Sequence, residues 1–268
     1  MTQLQPVPAL SSIGMLFSLI VSMGLPIVLC LLLYKKAGAK LSSLAVGCAS
    51  FFLFAMVLEQ VLHTIVLKTA GTVFTQNIWL YALYGGLAAA VFEETGRYVM
   101  MKHFMKKDLD RKNALMYGVG HGGIEAVMLV GMTYFSYIVT AVMINNGKMQ
   151  ASLSTIPAEN LEATVQSFTA LATLPSWQYF MAGIERIQAI GLHIALSVIV
   201  YRALKTGKIQ YYLIAMAMHF VVDFITLIAS NFVPIPVIEL IVFVMVVLVA
   251  FYAWKLYKAD EAETASAR

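Results

Sequence analysis

The amino-acid sequence predicts an all-α, polytopic membrane protein, a helix bundle with about seven transmembrane helices. Of its 268 residues, 60% are hydrophobic and only 12% are charged, where a soluble domain carries about 25% charged residues. The mean hydropathy is +0.81. The apolar residues form continuous stretches and do not alternate with polar ones, which excludes a transmembrane β-barrel. The formal net charge of +4 gives no indication of nucleic-acid binding.

Seven apolar stretches are each long enough to span a lipid bilayer. We expect transmembrane helices over residues 11–34, 41–67, 78–104, 113–143, 177–203, 210–230 and 235–257. The whole chain, 1–268, is predicted to form a single transmembrane domain with a catalytic-like core at 78–230. In the outer loop 145–176, an interfacial helix is expected to begin near Pro157. The charged tail 259–268 is expected to be disordered.

The distribution of Lys and Arg predicts how the chain is oriented, because short cytoplasmic loops are rich in these residues. The loops after the first, third and fifth spans are placed on the same side as the C-terminus. That side then holds fourteen Lys and Arg residues, and the other side holds two, Lys68 and Lys148. We therefore expect the N-terminus outside and the C-terminus in the cytoplasm.

Two adjacent carboxylates and an arginine interrupt the third apolar stretch, in the segment Phe92-Glu93-Glu94-Thr95-Gly96-Arg97. Such side chains are costly in hydrocarbon unless they are paired or face an internal cavity. Glu93 and Arg97 are four residues apart, so we expect them to pair on one face of a helix. Glu94 points about 100° away and lacks that partner. A structural ion pair would explain the segment, but two inequivalent carboxylates also suit acid–base chemistry.

Further ionisable residues recur in the next three apolar stretches. They are His121 and Glu125 in the fourth, Glu185, Arg186 and His193 in the fifth, and His219 and Asp223 in the sixth. At a rise of 1.5 Å per residue from the nearest basic residues, Glu94 and the three histidines all lie about 12–17 Å from the cytoplasmic edge. Side chains from four helices at one depth predict a common polar site. Glu59 and His63 of the second stretch are also four residues apart, but nearer its outer end.

Three chemistries fit such a cluster. A carboxylate and an imidazole activate water for amide hydrolysis, a zinc ion binds with one open position, or the side chains line a proton or cation pathway. The spacing of His121 and Glu125 is not the His-Glu-x-x-His motif of zinc proteases, so no specific spacing supports a metal. A haem between paired histidines also stays open. The candidate zinc ligands are His121, Glu125, His193 and His219.

Four segments resemble the YhfC family of bacterial membrane proteins, which is regarded as related to the PrsW and CAAX-processing (CPBP) glutamic-type intramembrane proteases. The segments are Phe-Glu-Glu-Thr-Gly-Arg at 92–97, Gly-Val-Gly-His-Gly-Gly-Ile-Glu at 118–125, Glu-Arg with a following His at 185–193, and His-Phe-Val-Val-Asp-Phe at 219–224. The resemblance implies an intramembrane peptidase of the bacterial plasma membrane. Its substrate would be a membrane-embedded or membrane-associated peptide or protein.

The resemblance also implies roles for individual residues. Glu93 would activate water together with His121. His219 and Asp223 would stabilise the tetrahedral oxyanion, and Arg97 would hold a glutamate in place.

Two arguments assign the catalytic role to different glutamates, Glu94 and Glu93. The spacing makes Glu94 the freer base, because Glu93 is expected to pair with Arg97. The resemblance implies Glu93, and we favour Glu93, since an arginine orients a carboxylate without blocking it.

The cofactor and the class of function have alternatives as well. Glu125, Glu185 and His193 have no counterpart in the CAAX-processing enzymes and supply enough ligands for a metal. We expect a glutamic-type endopeptidase without a cofactor, and the alternative is a zinc metalloprotease. The rival function is a proton- or cation-coupled transporter or a metal-binding membrane protein. An inactive scaffold is a third class, but it has no need to bury so many charges.

Overall fold

The computed structural model describes residues 4–266, which are almost entirely helical with no β-strand among them. The predicted all-α fold is therefore confirmed. The α-helices are α1 (Ala9–Leu32), α2 (Leu41–Phe51), α3 (Gln60–Thr69), α4 (Gly71–Gln76), α5 (Ile78–Phe104), α6 (Arg111–Ala126), α7 (Met132–Asn145), α8 (Lys148–Ser152), α9 (Ala158–Thr173), α10 (Ser176–Thr206), α11 (Gln210–Ala229) and α12 (Ile235–Ser266). Three π-helical segments continue α1, α2 and α6, and a 3-10 turn follows α8; they are Leu33–Ala37, Phe52–Glu59, Val127–Gly131 and Leu153–Thr155.

Six helical stretches of the described chain are long and apolar enough to cross a membrane. They are Ala9–Ala37, Leu41–Thr69, Arg111–Asn145, Ser176–Thr206, Gln210–Ala229 and Ile235–Ser266. Helix α5 has 27 residues and is also long enough to span, but its charged residues make it less apolar and it is not one of the six. The multi-pass architecture is confirmed. The count of seven transmembrane helices and the orientation of the termini stay predictions.

The structure divides into two compact units, where the sequence predicts a single domain. The first contains the described residues up to Leu25 and Ala126–Ile187, and the second contains Pro26–Glu125 and the described residues from Gln188 onward. The boundaries do not follow the predicted core at 78–230.

In the first unit, the side-chain amide of Asn145 forms two hydrogen bonds with the backbone of Val7, which precedes α1. It accepts a hydrogen bond from the Val7 N–H at 2.7 Å and donates one to the Val7 carbonyl at 3.1 Å. The predicted outer loop is folded in this unit as α8, the 3-10 turn and α9. Helix α9 begins directly after Pro157, as expected, because proline suits the first turn of a helix. Its location at the membrane interface stays a prediction.

In the second unit, the glycines of α6 allow neighbouring backbones to come close. A Cβ atom on Gly118 would lie 2.5 Å from Ile194 Cα of α10, and one on Gly120 would lie 2.2 Å from the Leu44 carbonyl oxygen of α2. Any side chain would clash there, so α6 lies between α2 and α10 in backbone contact with both. This packing places His121, the residue after Gly120, inside the unit, where it is fully buried.

The predicted disordered tail is wrong for residues 259–266, because α12 continues to Ser266. Asp260 is buried and accepts hydrogen bonds from the Tyr201 hydroxyl at 3.0 Å and from the Lys205 ammonium. Arg202 lies 3.6 Å from the same carboxylate. These cations of α10 neutralise the acidic end of α12, so it folds onto α10. Residues 267 and 268 of the predicted tail lie outside the described residues.

Candidate active site

Four helices of the second unit bring the predicted ionisable residues together. Helix α5 supplies Glu93, Glu94 and Arg97, α6 supplies His121 and Glu125, α10 supplies His193, and α11 supplies His219 and Asp223. All of them are buried except Asp223, whose side chain is 30% exposed. Asp223 therefore marks the accessible edge of the cluster.

The ion pair within α5 differs from the one that the spacing predicts. Arg97 Nε donates to Glu94 Oε2 at 3.0 Å, and Arg97 Nη2 donates to Glu94 Oε1 at 3.1 Å. The predicted pair of Glu93 with Arg97 is therefore wrong. A spacing of three residues also places side chains on one helix face, and two parallel N–H···O bonds with Glu94 match the planar guanidinium.

The remaining donors of Arg97 bind to α10. Nη1 donates to the His193 carbonyl at 3.0 Å and to the Ser197 hydroxyl at 2.6 Å, and Nη2 lies 3.0 Å from His193 Nδ1. A guanidinium can only donate, so Nδ1 of His193 accepts and the ring proton is on Nε2. That nitrogen faces Glu125 Oε2 at 2.6 Å. Arg97 thus fixes both the position and the tautomer of His193.

Glu93 faces imidazole rings. Its Oε2 atom is hydrogen-bonded to His121 Nε2 at 2.9 Å and lies 3.8 Å from His193 Nδ1. The rings of His121 and His193 lie side by side, with centroids 4.8 Å apart. The two adjacent glutamates are therefore in different surroundings: Glu94 is in an ion pair, and Glu93 contacts the histidines.

His219 connects the ion pair to the accessible edge. Its Nδ1 atom lies 2.9 Å from Glu94 Oε1, and its Nε2 atom lies 3.3 Å from Asp223 Oδ2. Ionised carboxylates only accept hydrogen bonds, so this arrangement suits a doubly protonated ring that donates from both nitrogens.

The sequence analysis did not assign Glu59 to the site, although the structure buries it. Glu59 is 6% exposed, and the charges of Glu93, His219 and Asp223 interact with it. It ends the π-helical segment Phe52–Glu59, and such a segment turns the following side chains relative to a regular α-helix. The position of Glu59 in the sequence, nearer the outer end of the second stretch, puts it outside the predicted cluster. The available signal was the spacing of four residues between Glu59 and His63.

Glu185 and Arg186, which the sequence places near the site, belong to the first unit. They form an ion pair with each other.

Three side chains of the cluster fit a divalent metal ion. Glu93, His121 and His193 offer ligand atoms within 4.8 Å of one another, the one such group in the part of the chain that the structure describes. Two histidines and a glutamate are a ligand set of catalytic zinc sites. His121 also has a buried Nδ1 atom with no hydrogen-bond partner among residues 4–266. Of the four predicted ligands, His121 and His193 are in this group, and Glu125 and His219 are outside it. Glu93 is in the group although the sequence analysis predicts it as a catalytic residue and not as a ligand.

The fold and the cluster define a multi-pass α-helical membrane protein with a buried site of carboxylates and histidines. A family model described as YhfC intramembrane metalloprotease matches residues 21–249. The chain therefore belongs to this family. It is similar to the uncharacterized membrane protein YhfC of Bacillus subtilis (strain 168), with 36% identity over 198 residues, 73% of this chain and 76% of that protein. No solved structure matches the chain.

Membership of this family confirms the predicted YhfC resemblance and supports an intramembrane protease in the bacterial cell membrane. The family is described as a metalloprotease family, whereas the sequence analysis favours a glutamic-type protease. The relationship to the PrsW and CAAX-processing proteases stays a prediction.

Proposed function

We propose that this protein hydrolyses a peptide bond of a membrane-embedded or membrane-associated protein, at the cluster around Glu93, His121 and His193. The supporting observation is the group of three buried side chains whose possible metal-ligand atoms lie within 4.8 Å of one another, inside a chain that is otherwise unusually apolar. Ionisable groups are costly to bury in a membrane and mark functional sites.

We assign different roles to the two adjacent glutamates. Glu94 is fully buried and already accepts from Arg97 and His219, so it is a positioning residue. Glu93 contacts His121 and lies near His193, so it is the carboxylate at the reaction centre, as a metal ligand in the first mechanism below and as the base in the second.

Glu93, His121 and His193 would hold a zinc ion, as the donor types favour. Zinc would supply Lewis acidity toward the peptide carbonyl and water. Glu125 accepts from His193 Nε2 at 2.6 Å, and would orient that ring as carboxylates do for metal-binding histidines.

One contact favours a second mechanism, in which no metal takes part. Arg97 occupies the Nδ1 lone pair of His193 at 3.0 Å, and a metal bound at that nitrogen would have to replace this hydrogen bond. In this mechanism, Glu93 and His121, joined at 2.9 Å, remove a proton from water and return it to the leaving amine.

His219 serves in both mechanisms. Its Nε2 atom lies at the longer distance, 3.3 Å, from Asp223 at the accessible edge. An N–H there can turn from Asp223 to the oxyanion that develops on the peptide carbonyl, where preorganised donors are most effective.

The test is cleavage of single-span membrane proteins, tagged at both ends and reconstituted with the purified protein in liposomes. We expect cleavage by the wild type and by the control His103→Ala, which alters an exposed residue at the end of α5. Glu93→Gln and His121→Ala should be folded but at least about 100-fold slower, the usual range for losing an acid–base group. Unchanged cleavage by these two variants would overturn the proposal.

Elemental analysis of the same preparations decides between the mechanisms. About one zinc per chain, lost in His121→Ala and His193→Ala but kept in His103→Ala, supports the metal site. Full cleavage by a zinc-free protein supports the hydrogen-bonded pair of Glu93 and His121. Proton-coupled flux without cleavage of any test protein would instead establish the transporter alternative.

A further inference from the structure

A hydrogen-bonded chain of three side chains lies in the second unit, apart from the contacts assigned above. The Tyr84 hydroxyl lies 2.7 Å from His63 Nδ1, and His63 Nε2 lies 3.1 Å from Glu59 Oε1. Both ring nitrogens of His63 are therefore engaged, one by a phenol and one by a carboxylate.

The buried end of this chain is level with the cluster. A Cβ atom on Gly96 of α5 would lie 2.6 Å from Phe54 Cγ, so these two positions touch. Glu59 follows Phe54 by five residues, and Glu93 precedes Gly96 by three. At 1.5 Å per residue, antiparallel helices bring the two carboxylates to within about 3 Å of the same height. Their charges interact, as do those of Glu59 and His219.

The end of this hydrogen-bonded series formed by His63 and Tyr84 is more exposed than Glu59. Glu59 is 6% exposed, whereas the side chain of His63 is 24% exposed and Tyr84 is intermediate in exposure. Tyr84 precedes Glu93 by nine residues on α5, a distance of about 13 Å along the helix. The three hydrogen-bonded side chains thus extend from the level of the cluster toward the start of α5, away from the end that carries Lys102.

We propose that Glu59, His63 and Tyr84 are a proton relay of the hydrolytic site. This inference rests on the proposed function. Peptide hydrolysis moves protons among water, the catalytic groups and the products, and hydrocarbon around a buried site blocks their exchange with bulk solvent. Chains of carboxylates and histidines conduct protons through other membrane proteins.

Each step of the relay conserves protons. A protonated Glu59 gives its O–H proton to His63 Nε2, and His63 releases its Nδ1 proton to the Tyr84 oxygen. Tyr84 passes its own hydroxyl proton to water. The starting state returns when the hydroxyl rotates, the imidazole ring flips so that its proton again faces Tyr84, and Glu59 takes up a new proton from the side of the cluster. The step between Glu59 and Glu93 runs through water, which bridges polar groups almost as well as a direct contact.

The relay is tested with Glu59→Gln, His63→Ala and Tyr84→Phe in the liposome cleavage assay. The matched control is Tyr81→Phe, which removes the hydroxyl of an exposed tyrosine one turn earlier on α5. We expect kcat to fall about tenfold or more in the first two variants and less in Tyr84→Phe, because acid–base groups contribute on this scale. KM and the activity of Tyr81→Phe should not change.

Chemical rescue distinguishes a relay from a structural role. Added imidazole should restore most of the lost kcat in His63→Ala, because a diffusible base can replace the missing ring, and should not restore Glu93→Gln. If wild type cleaves, Glu93→Gln does not, and His63→Ala is unaffected or is not rescued, the relay is wrong and the proposed function stands. If the wild type cleaves nothing, the proposed function itself fails.

Discussion

Arg97 is bound to Glu94 by two hydrogen bonds, at 3.0 and 3.1 Å, although Glu93 is the carboxylate four residues away. The guanidinium and Glu94 are both fully buried. This contact divides the Glu-Glu pair between two tasks, because it removes one carboxylate from the reactive group and leaves Glu93 facing His121. The division could not follow from spacing alone, since both i+3 and i+4 neighbours share a helix face.

Glu94→Gln should destabilise the fold, because it leaves the buried charge of Arg97 without its counterion. Breaking one partner of a buried ion pair costs about 3–5 kcal/mol. We expect a loss of this order in the free energy of unfolding, measured by denaturant titration in detergent micelles.

The matched variant is Glu93→Gln, which removes a neighbouring charge that is not in the ion pair. Its free energy of unfolding should stay close to that of the wild type, while its activity is lost. Equal stability of Glu94→Gln and the wild type would show that Arg97 does not depend on Glu94.

Much of the site was predictable because ionisable residues inside apolar stretches are easy to recognise in a sequence and are costly to bury without a role. Charged residues inside apolar stretches are unusual enough to be noticed singly, and counting residues from the basic loops brought Glu94, His121, His193 and His219 to one depth. Their partners were less predictable. The contacts of Arg97 with His193 and of His219 with Glu94 depend on helix rotation and on which glycines allow close approach.

Two errors have a common cause, which is that local patterns do not reveal long-range partners. The polar residues after Lys258 have the composition of a disordered tail, but cations of other helices bind Asp260. Glu59 is outside the predicted site because its sequence position puts it near the outer end of its stretch, whereas the contact of Phe54 with Gly96 brings it close to the level of Glu93.

Gly120→Ala should displace α2 from α6, because the added Cβ would lie 2.2 Å from the Leu44 carbonyl oxygen. Inserting atoms into a packed interior costs about 1–3 kcal/mol, and backbone atoms cannot move aside as a flexible side chain does. We expect a lower free energy of unfolding, and a loss of cleavage because His121 is the next residue.

Gly191→Ala provides the comparison within α10. Its Cβ would lie 3.8 Å from the nearest side-chain atom, Val246 Cγ1, which is an ordinary contact. Stability should change by less than about 1 kcal/mol, since alanine is the better helix former. Similar effects of the two substitutions would argue against the close contact of α2 and α6.

Asp260→Asn should loosen the end of α12. The buried carboxylate lies near Arg202 and Arg111, at 3.6 and 3.8 Å, and accepts from Tyr201. Removing a charged hydrogen-bond partner from such a group costs about 1–3 kcal/mol. The measurement is amide hydrogen exchange of residues 259–266, which should be slow in the wild type and faster in the variant.

Lys258→Gln is the control for that experiment, because its side chain is 55% exposed and its ion pair with Glu261 lies at the surface. Exposed ion pairs contribute at most about 1 kcal/mol, so exchange should change little. Fast exchange of residues 259–266 already in the wild type would restore the prediction of a disordered tail.

The predicted orientation has a direct test in single cysteines introduced at exposed lysines. Cys30 and Cys48 are first replaced by serine, so that the new thiol is the reactive one. Lys148→Cys should react with a membrane-impermeant maleimide in intact cells. Lys106→Cys should react only after permeabilisation, because fourteen Lys and Arg residues are assigned to its side of the membrane and two to the other. The reverse pattern would invert the topology, and the Tyr84 end of the proposed relay would then lie toward the cytoplasm.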